Sequence, residues 1–358
     1  MGNLCSSARA REGGAGPEGG GAAAGASGAP AGPLPRLHAE AVFDVCAAGP
    51  GRAVSGGEDG AVCLWDWEAG ETLEAWRGHT RPVTKVAYAA AGLAFSASRD
   101  KTVRSWRPGA AGPARVFEGE HEMAVSAVAA DAAGAAVVSG SRDNRVVLWD
   151  HETGKRAKFA TVSRNLVTHL AWVPGEAAVL QASEDLTLRV WDTRTMKVAQ
   201  TFRGHNNIPL HCTVAAAGGH LLSCSNGFDG RGCEVRLWER RGERQLAQMD
   251  GHRMSANQCA FLEAPAALCP PASVSCSADQ TVRFWDHGAA AGGAGPPAEV
   301  ACLSLPGDRG PYTAVAALEP TAGDPAEHWG CLGTFDGAVA VWRFDPREGR
   351  AEVARASE

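Results

Sequence analysis

The 358-residue sequence lacks several features that would assign it to common functional classes. No stretch approaches the roughly 18 consecutive apolar residues of a membrane-spanning helix, and no apolar segment near the N-terminus resembles a secretion signal. Basic residues are not in excess, because the formal net charge is −6. A surface that follows nucleic-acid phosphates is clearly basic, so this charge balance argues against nucleic acid as a partner.

The cysteines lack the spacing of a metal site or a disulfide framework. There are eleven of them, an odd number, and none is spaced C-x-x-C. Several replace an apolar residue in a strand-like run, as Cys63 does in AVCLW, and a buried free cysteine behaves as a small hydrophobe. We expect reduced thiols in the cytosol and no metal. A Gly-rich phosphate loop between a strand and a helix is also missing, so we predict no cofactor and no small-molecule substrate.

Tryptophans recur at intervals of 41 to 57 residues, each at the end of a strand-like run such as TVRSW or RVVLW. The seven are Trp65, Trp106, Trp149, Trp191, Trp238, Trp285 and Trp342. Six of them follow an Asp by six residues: Asp59, Asp100, Asp143, Asp185, Asp279 and Asp336. A period of about 40 to 45 residues with four short strands is the signature of a β-propeller. We therefore predict an all-β, seven-bladed propeller over residues 34–358, whose closed ring is typical of proteins that bind other proteins.

The N-terminal segment carries a different signal. Residues 8–33 are nearly all Ala, Gly, Pro, Ser, Glu and Arg, a composition that predicts a disordered linker. Residues 1–7 begin MGNLCS, which fits the N-myristoylation pattern with Gly2 as the acylated residue. One myristoyl chain binds a membrane only marginally, and Cys5 is placed to take a palmitate as the second signal. We therefore expect a cytoplasmic protein attached to a membrane surface through its acyl chains.

The repeats resemble those of WD-repeat propellers, with GH at the head, S-x-D in a turn and W-D at the end of a repeat. Within that family, the stretches SGSRDNRVVLWD and QASEDLTLRVWDTR resemble a ciliary WD-repeat protein. The resemblance implies a non-catalytic interaction scaffold with a role in cilium assembly or maintenance and intracellular traffic, located at the cilium or its base.

Three repeats contain His, Ser, Asp and Trp together, a set that also occurs in hydrolase triads. The sets are His79, Ser98, Asp100 and Trp106; His121, Ser141, Asp143 and Trp149; and His252, Ser277, Asp279 and Trp285. An enzyme does not need several copies of one nucleophile. We therefore interpret each set as a buried polar network that stabilises its blade, in which Ser links His and Asp.

Departures from the repeat suggest where partners bind. Arg99 and Arg142 directly precede turn aspartates in adjacent blades, and such positions face partners in the family. Arg164 and Asn165 replace Gly-His in blade four, near Glu184. Arg pairs with carboxylates, so this sector favours an acidic partner; the alternative is an ordinary rim with internal Arg–Glu pairs.

Blade five departs most, because Gly232 takes the Asp position and the loop SNGFDGRG is enlarged. Its Phe228 and Arg231 are further candidate contacts, on the face that the family uses for partners.

Two further alternatives concern the blade-four motif and the closure of the ring. Trp191, Asp192 and Arg194 resemble the motif by which substrate receptors of cullin-4 ubiquitin ligases dock their adaptor, and this is the alternative function. The last strand of blade seven comes from Glu348–Ala356 or from Leu34–Leu37 at the N-terminus. We favour the C-terminal segment, because Pro33 and Pro35 weaken the other one.

Overall fold

The computed structural model describes residues 33–161, 166–263, 272–288, 295–322, 324 and 326–357. Seven four-stranded antiparallel sheets form in sequence order around a central channel. The all-β, seven-bladed fold that the Trp period predicts is confirmed. Within the described ranges, no helix has the length and apolarity that a membrane crossing needs.

The four strands of each blade follow one another from the channel to the periphery. The innermost strands are β1 Val42–Ala47, β5 Val83–Ala89, β9 Val125–Ala130, β13 Val167–Trp172, β17 Pro209–Val214, β21 Ala256–Leu262 and β25 Tyr312–Leu318. The second strands are β2 Arg52–Gly57, β6 Leu93–Ser98, β10 Ala136–Ser141, β14 Ala178–Ser183, β18 His220–Ser225, β22 Ala272–Ser277 and β26 His328–Thr334.

The third strands carry the repeated Trp residues. They are β3 Val62–Asp66, β7 Val103–Trp106, β11 Arg145–Asp150, β15 Thr187–Asp192, β19 Val235–Glu239, β23 Val282–Asp286 and β27 Val339–Asp345. The outer strands are β4 Glu71–Trp76, β8 Arg115–Phe117, β12 Arg156–Thr161, β16 Lys197–Arg203, β20 Arg244–Met249, β24 Ala298–Leu303 and β28 Arg350–Ala356.

Apolar contacts between neighbouring blades form the core. A glycine in the second strand lets the first strand of the next blade approach closely: a Cβ on Gly140 would lie 2.4 Å from Cγ1 of Val167. The same contact closes the ring, because a Cβ on Gly333 would lie 2.8 Å from Cγ1 of Val42 in blade one. Side chains larger than glycine would therefore push adjacent blades apart.

The C-terminal segment supplies the outer strand of blade seven. β28 pairs with β27 in an antiparallel register, which confirms the favoured alternative. The N-terminal segment adds a single parallel bridge outside it, between Leu34 and Ser357, with the Leu34 amide donating to the Ala356 carbonyl at 3.2 Å. Both ends of the propeller thus meet at the edge of one blade.

Candidate functional site

A polar network connects the strands of blade two. Nδ1 of His79 lies 2.8 Å from the carboxylate of Asp100, and Nε2 lies 2.7 Å from Oγ of Ser96. The indole N–H of Trp106 donates to the same Ser96 oxygen at 2.8 Å. One buried hydroxyl therefore joins the imidazole to the indole.

The network serine is not the one that the sequence analysis assigned. Ser98 accepts a hydrogen bond from the Asp100 amide at 3.0 Å and so supports the turn. Ser96 precedes it by two residues on the same face of β6, which places it deeper, within reach of both rings. The predicted roles of Ser98, Ser141 and Ser277 were therefore wrong by two residues. The repeated S-x-S-x-D pattern of blades two, three and six contained this signal.

Blades three and six repeat the arrangement with Ser139 and Ser275. His121 lies 3.1 Å from Asp143 and 2.7 Å from Ser139, and Trp149 donates to Ser139 at 2.7 Å. In blade six, His252 lies 3.3 Å from Asp279 and 2.8 Å from Ser275, and Trp285 donates to Ser275 at 2.8 Å.

Blade one has the same His–Asp and His–Ser pairs. His38 lies 3.0 Å from Asp59 and 2.9 Å from Ser55, and Gly57 stands at the position that Ser98 occupies in blade two. The Trp65 indole N–H has no hydrogen-bond partner among the described residues. Blade seven, which has no His at this position, pairs Thr334 with Asp336 at 2.5 Å.

The network carboxylates remain ionised. Burial acts to raise the pKa of Asp59, but hydrogen bonds from His38 and from two backbone amides outweigh it and lower the pKa to about 2. The pKa values of Asp100, Asp143 and Asp279 are lowered in the same way against the effect of burial. The hydroxyls that contact the imidazoles are fully buried, so no substrate reaches them. These groups hold strands together and are not arranged for nucleophilic attack.

Blade four satisfies its turn carboxylate without a histidine. Asp185 pairs with the Arg189 guanidinium and accepts a hydrogen bond from the Thr187 hydroxyl at 2.7 Å. The Trp191 indole donates to the side-chain oxygen of Gln181 at 2.6 Å, where other blades use serine. The predicted contacts Arg164 and Asn165 lie outside the described residues.

Blade five lacks the turn carboxylate, because Gly232 takes its place, but it retains the histidine of the network, His205. His205 lies 2.8 Å from Ser223, which also accepts from the Trp238 indole at 2.8 Å. Among the described residues, Nδ1 of His205 has no hydrogen-bond partner. Burial, with the nearby positive charge of Arg236, lowers the pKa of His205 to about 3. This imidazole is therefore neutral at physiological pH.

The enlarged blade-five loop is a tight hairpin. Phe228 and Arg231 exchange two backbone hydrogen bonds of 3.1 and 3.0 Å, and Asp229 and Gly230 between them both have positive φ, as a type I′ turn requires. The Gly230 amide donates to the Arg253 carbonyl in blade six at 2.9 Å. The hairpin thus lies against the loop that enters blade six, and its Phe228 side chain is 67% exposed.

The rim arginines of blades two and three have internal partners. The Arg142 guanidinium lies 3.2 Å from Glu184 of blade four, while its side chain remains largely exposed. The Arg99 guanidinium lies 5.4 Å from the centre of the Phe43 ring, a cation–π contact. Arg142 thus forms the internal Arg–Glu pair of the alternative interpretation, and Arg99 has no ion pair in the described part of the chain.

The blade-four motif WDTR lies at the opposite end of the blade. The Trp191 ring is buried, whereas the Arg194 side chain is 77% exposed and pairs with Asp192 through two contacts of 3.1 Å. Blade seven contains the same geometry, because Arg347 pairs with Asp345 at 3.1 and 2.9 Å.

A second polar cluster, which the repeat pattern did not predict, lines the central channel. The rings of His169 and His211 stand 3.8 Å apart. Cys212 lies 3.7 Å from His169, and Cys259 lies 3.7 Å from His211. Burial lowers the pKa of both imidazoles and raises that of both thiols, so all four groups are neutral. Across the described positions, no three His, Cys, Asp or Glu side chains are arranged to hold a metal ion.

The seven blades, their repeated polar networks and the central channel define a β-propeller. The family model described as WD domain, G-beta repeat matches residues 35–66, 70–107 and 112–150, which correspond to the first three blades. The WD repeats of the first three blades and the seven-bladed architecture together support a place in the WD-repeat β-propeller family.

Similarity to curated proteins extends beyond those three blades. Nuclear distribution protein nudF of Aspergillus flavus is 31% identical over 255 residues, which cover 65% of this chain and 54% of the relative. Pre-mRNA-processing factor 19 of Bos taurus is 32% identical over 114 residues, 32% of this chain and 22% of the relative. The chain therefore spans about half the length of the nuclear distribution protein and less of the other relative.

Proposed function

We propose that the protein is a non-catalytic interaction scaffold that binds other proteins on the rim formed by the turns between its second and third strands and by the loops that enter each blade. The observation that carries this proposal is the division between buried and exposed groups. The histidines, serines and turn carboxylates hold blades together. The rim, by contrast, carries exposed side chains, some of which also contact neighbouring blades: Phe228, Arg231, Arg99 and Arg142. Propellers of this family are typically protein-binding modules, which supports the same conclusion.

The scaffold is tethered to a membrane by acylation of Gly2 and Cys5. Support comes from the MGNLCS sequence and from the position of Leu34, where the described chain joins the edge of blade seven.

Fractionation tests the tether. Gly2→Ala abolishes myristoylation and moves the protein wholly to the soluble fraction, and Cys5→Ser weakens membrane retention. Gly13→Ala in the linker and Cys302→Ser at an exposed thiol are the matched controls and remain membrane-bound. A Gly2→Ala protein that still pellets with membranes contradicts the proposal.

The cellular setting is the assembly or maintenance of cilia and intracellular traffic. The resemblance to a ciliary WD-repeat protein motivates this setting, and the nuclear distribution relatives carry names that refer to distribution of a cell component. Proximity labelling in ciliated cells, with wild type beside Gly2→Ala, tests it. Proteins of the cilium or its base should be labelled by wild type and lost with Gly2→Ala.

The second function is that of a substrate receptor for a cullin-4 type ubiquitin ligase. The exposed Arg194 beside the buried Trp191 favours it, because docking through this motif needs an accessible guanidinium. Arg194→Ala should then abolish capture of the ligase adaptor. Arg347→Ala is the matched control and should not, because Arg347 is likewise paired with a carboxylate two residues earlier but lies outside the motif. Equal capture by wild type and Arg194→Ala contradicts docking through this motif, and no capture by wild type excludes the function.

A further inference from the structure

A groove opens on the rim between blades four and five. It encloses about 360 Å³ and is lined on its apolar side by Leu186, Ile208 and Phe228. Leu186 and Phe228 are both exposed, although their side chains are large and apolar. Contiguous apolar side chains at a concave surface mark binding sites more often than ordinary surface.

The remaining lining of the groove consists of amides. Asn206, Asn207 and Asn226 each present a carboxamide there. Within the described residues, the Asn206 and Asn226 side chains have no hydrogen-bond partner, and Asn207 reaches only the Arg231 carbonyl at 3.5 Å. A carboxamide both donates and accepts hydrogen bonds, which suits the alternating N–H and C=O groups of an extended peptide.

Unpaired positive charge borders the groove on its blade-six side. Arg231 in the hairpin and Arg253 in the adjoining loop are both exposed, and neither has an ion pair among the described residues. The hairpin itself contributes one carboxylate, Asp229, while the Asp279 carboxylate that accepts a hydrogen bond from the Arg253 amide at 2.8 Å is also bound by His252. By contrast, Arg142 and Arg189 on the same rim are already paired with Glu184 and Asp185.

The hairpin is held in one position before any partner binds. Its type I′ turn fixes the backbone, the bridge between Phe228 and Met254 joins it to blade six, and the Ser255 hydroxyl lies 3.2 Å from the Gly227 carbonyl. A preformed contact surface loses less conformational entropy on binding than a mobile one.

We propose that this groove binds an extended acidic segment of a partner protein. One large apolar side chain of that segment contacts Leu186, Ile208 and Phe228, its backbone bonds the asparagine amides, and a neighbouring carboxylate pairs with Arg231 or Arg253. The inference rests on the proposed scaffold function and names the partner chemistry that one part of the rim selects.

The experiment uses a displayed library of short random linear peptides, selected on the full-length chain. The selected peptides should combine a large apolar residue with adjacent Asp or Glu. Their affinity should fall about tenfold or more for Phe228→Ser and for the double variant Arg231→Glu/Arg253→Glu, as expected for an anchor residue and its charge partners. Phe335→Ser is the matched control, because Phe335 is a similarly exposed rim phenylalanine in blade seven, 54% accessible.

Selection of no peptide, of peptides without carboxylates, or of peptides that bind the Phe228→Ser protein unchanged overturns the inference. Unchanged melting temperatures of the variants establish that lost binding is not lost folding. If partners found by proximity labelling bind the Phe228→Ser protein as well as wild type, the scaffold function stands but this groove is not their binding site. A failure of the scaffold function is different, because no labelled partner then binds the purified propeller at all.

Discussion

The carboxylate of Asp143 lies 3.1 Å from Nδ1 of His121, and the opposite nitrogen of that ring lies 2.7 Å from Ser139. Asp143→Ala leaves the imidazole without its carboxylate partner in a buried site. We expect a loss of about 1–3 kcal/mol in the free energy of unfolding, measured by chemical denaturation. Glu152→Ala, at an exposed position of the same blade, should change it by less than about 0.5 kcal/mol. A fully stable Asp143→Ala protein that fails to bind partners would instead indicate a direct functional role.

Acidification should destabilise the protein in part through His205 of blade five. The folded pKa of His205, about 3, lies below its ordinary value of 6.5, so the unfolded state binds the additional proton between these values. This contribution to stability is complete above about pH 6.5 and is lost as the pH falls towards 3, at about 1.4 kcal/mol per pH unit for one proton.

His205→Gln retains a hydrogen-bonding group but does not titrate. Urea unfolding between pH 7 and pH 4 should therefore show a shallower dependence of stability on pH than in wild type. Some dependence of stability on pH should remain in the variant, because burial also lowers the pKa values of His169 and His211. An unchanged slope would mean that His205 is protonated in the folded protein.

Restoring the missing carboxylate of blade five should not stabilise it. Gly232 has φ +75°, and a Cβ there would lie 1.8 Å from the side-chain nitrogen of Asn207. Gly230 has a similar φ of +73° with nothing within 4 Å, so Gly230→Ala should cost only the backbone strain of about 1 kcal/mol. Gly232→Asp should cost clearly more in thermal or urea unfolding, and adding Asn207→Gly should recover part of the loss. Equal costs for the two glycines would contradict this account.

Charge reversal tests the basic sector of blades two and three. Arg99→Glu/Arg142→Glu should abolish binding of an acidic partner while lowering stability by about 1 kcal/mol or less, because the Arg142–Glu184 pair that is lost is solvent-exposed. Residual binding should also lose its dependence on salt, since screening acts on the attraction that has been removed.

Arg244→Glu is the control for that double variant, because Arg244 pairs with Glu239 at 2.6 Å on the outer strand of blade five. Interactions that remain unchanged in the folded double variant would exclude this sector and direct attention to the groove beside Phe228.

The sequence was most informative where the repeat is strong. The Trp spacing alone indicated seven blades, and seven four-stranded sheets form. The repeat also located Phe228 in the enlarged loop, which is now seen to be highly exposed. The repeat did not identify the network serine, because the sequence pattern does not show which of two serines on the same strand face lies within reach of the histidine and the Trp indole.

The spacing of Trp and Asp determined the fold by itself, because every blade buries its Trp indole and six of the seven carry the turn Asp six residues before it. Only the tertiary structure decided which groups meet across blades. His169 and Cys212 are adjacent although 43 residues separate them, and the Phe228 hairpin contacts Met254 of the next blade. Such contacts depend on the angle and distance between neighbouring sheets, which the period of one blade does not encode.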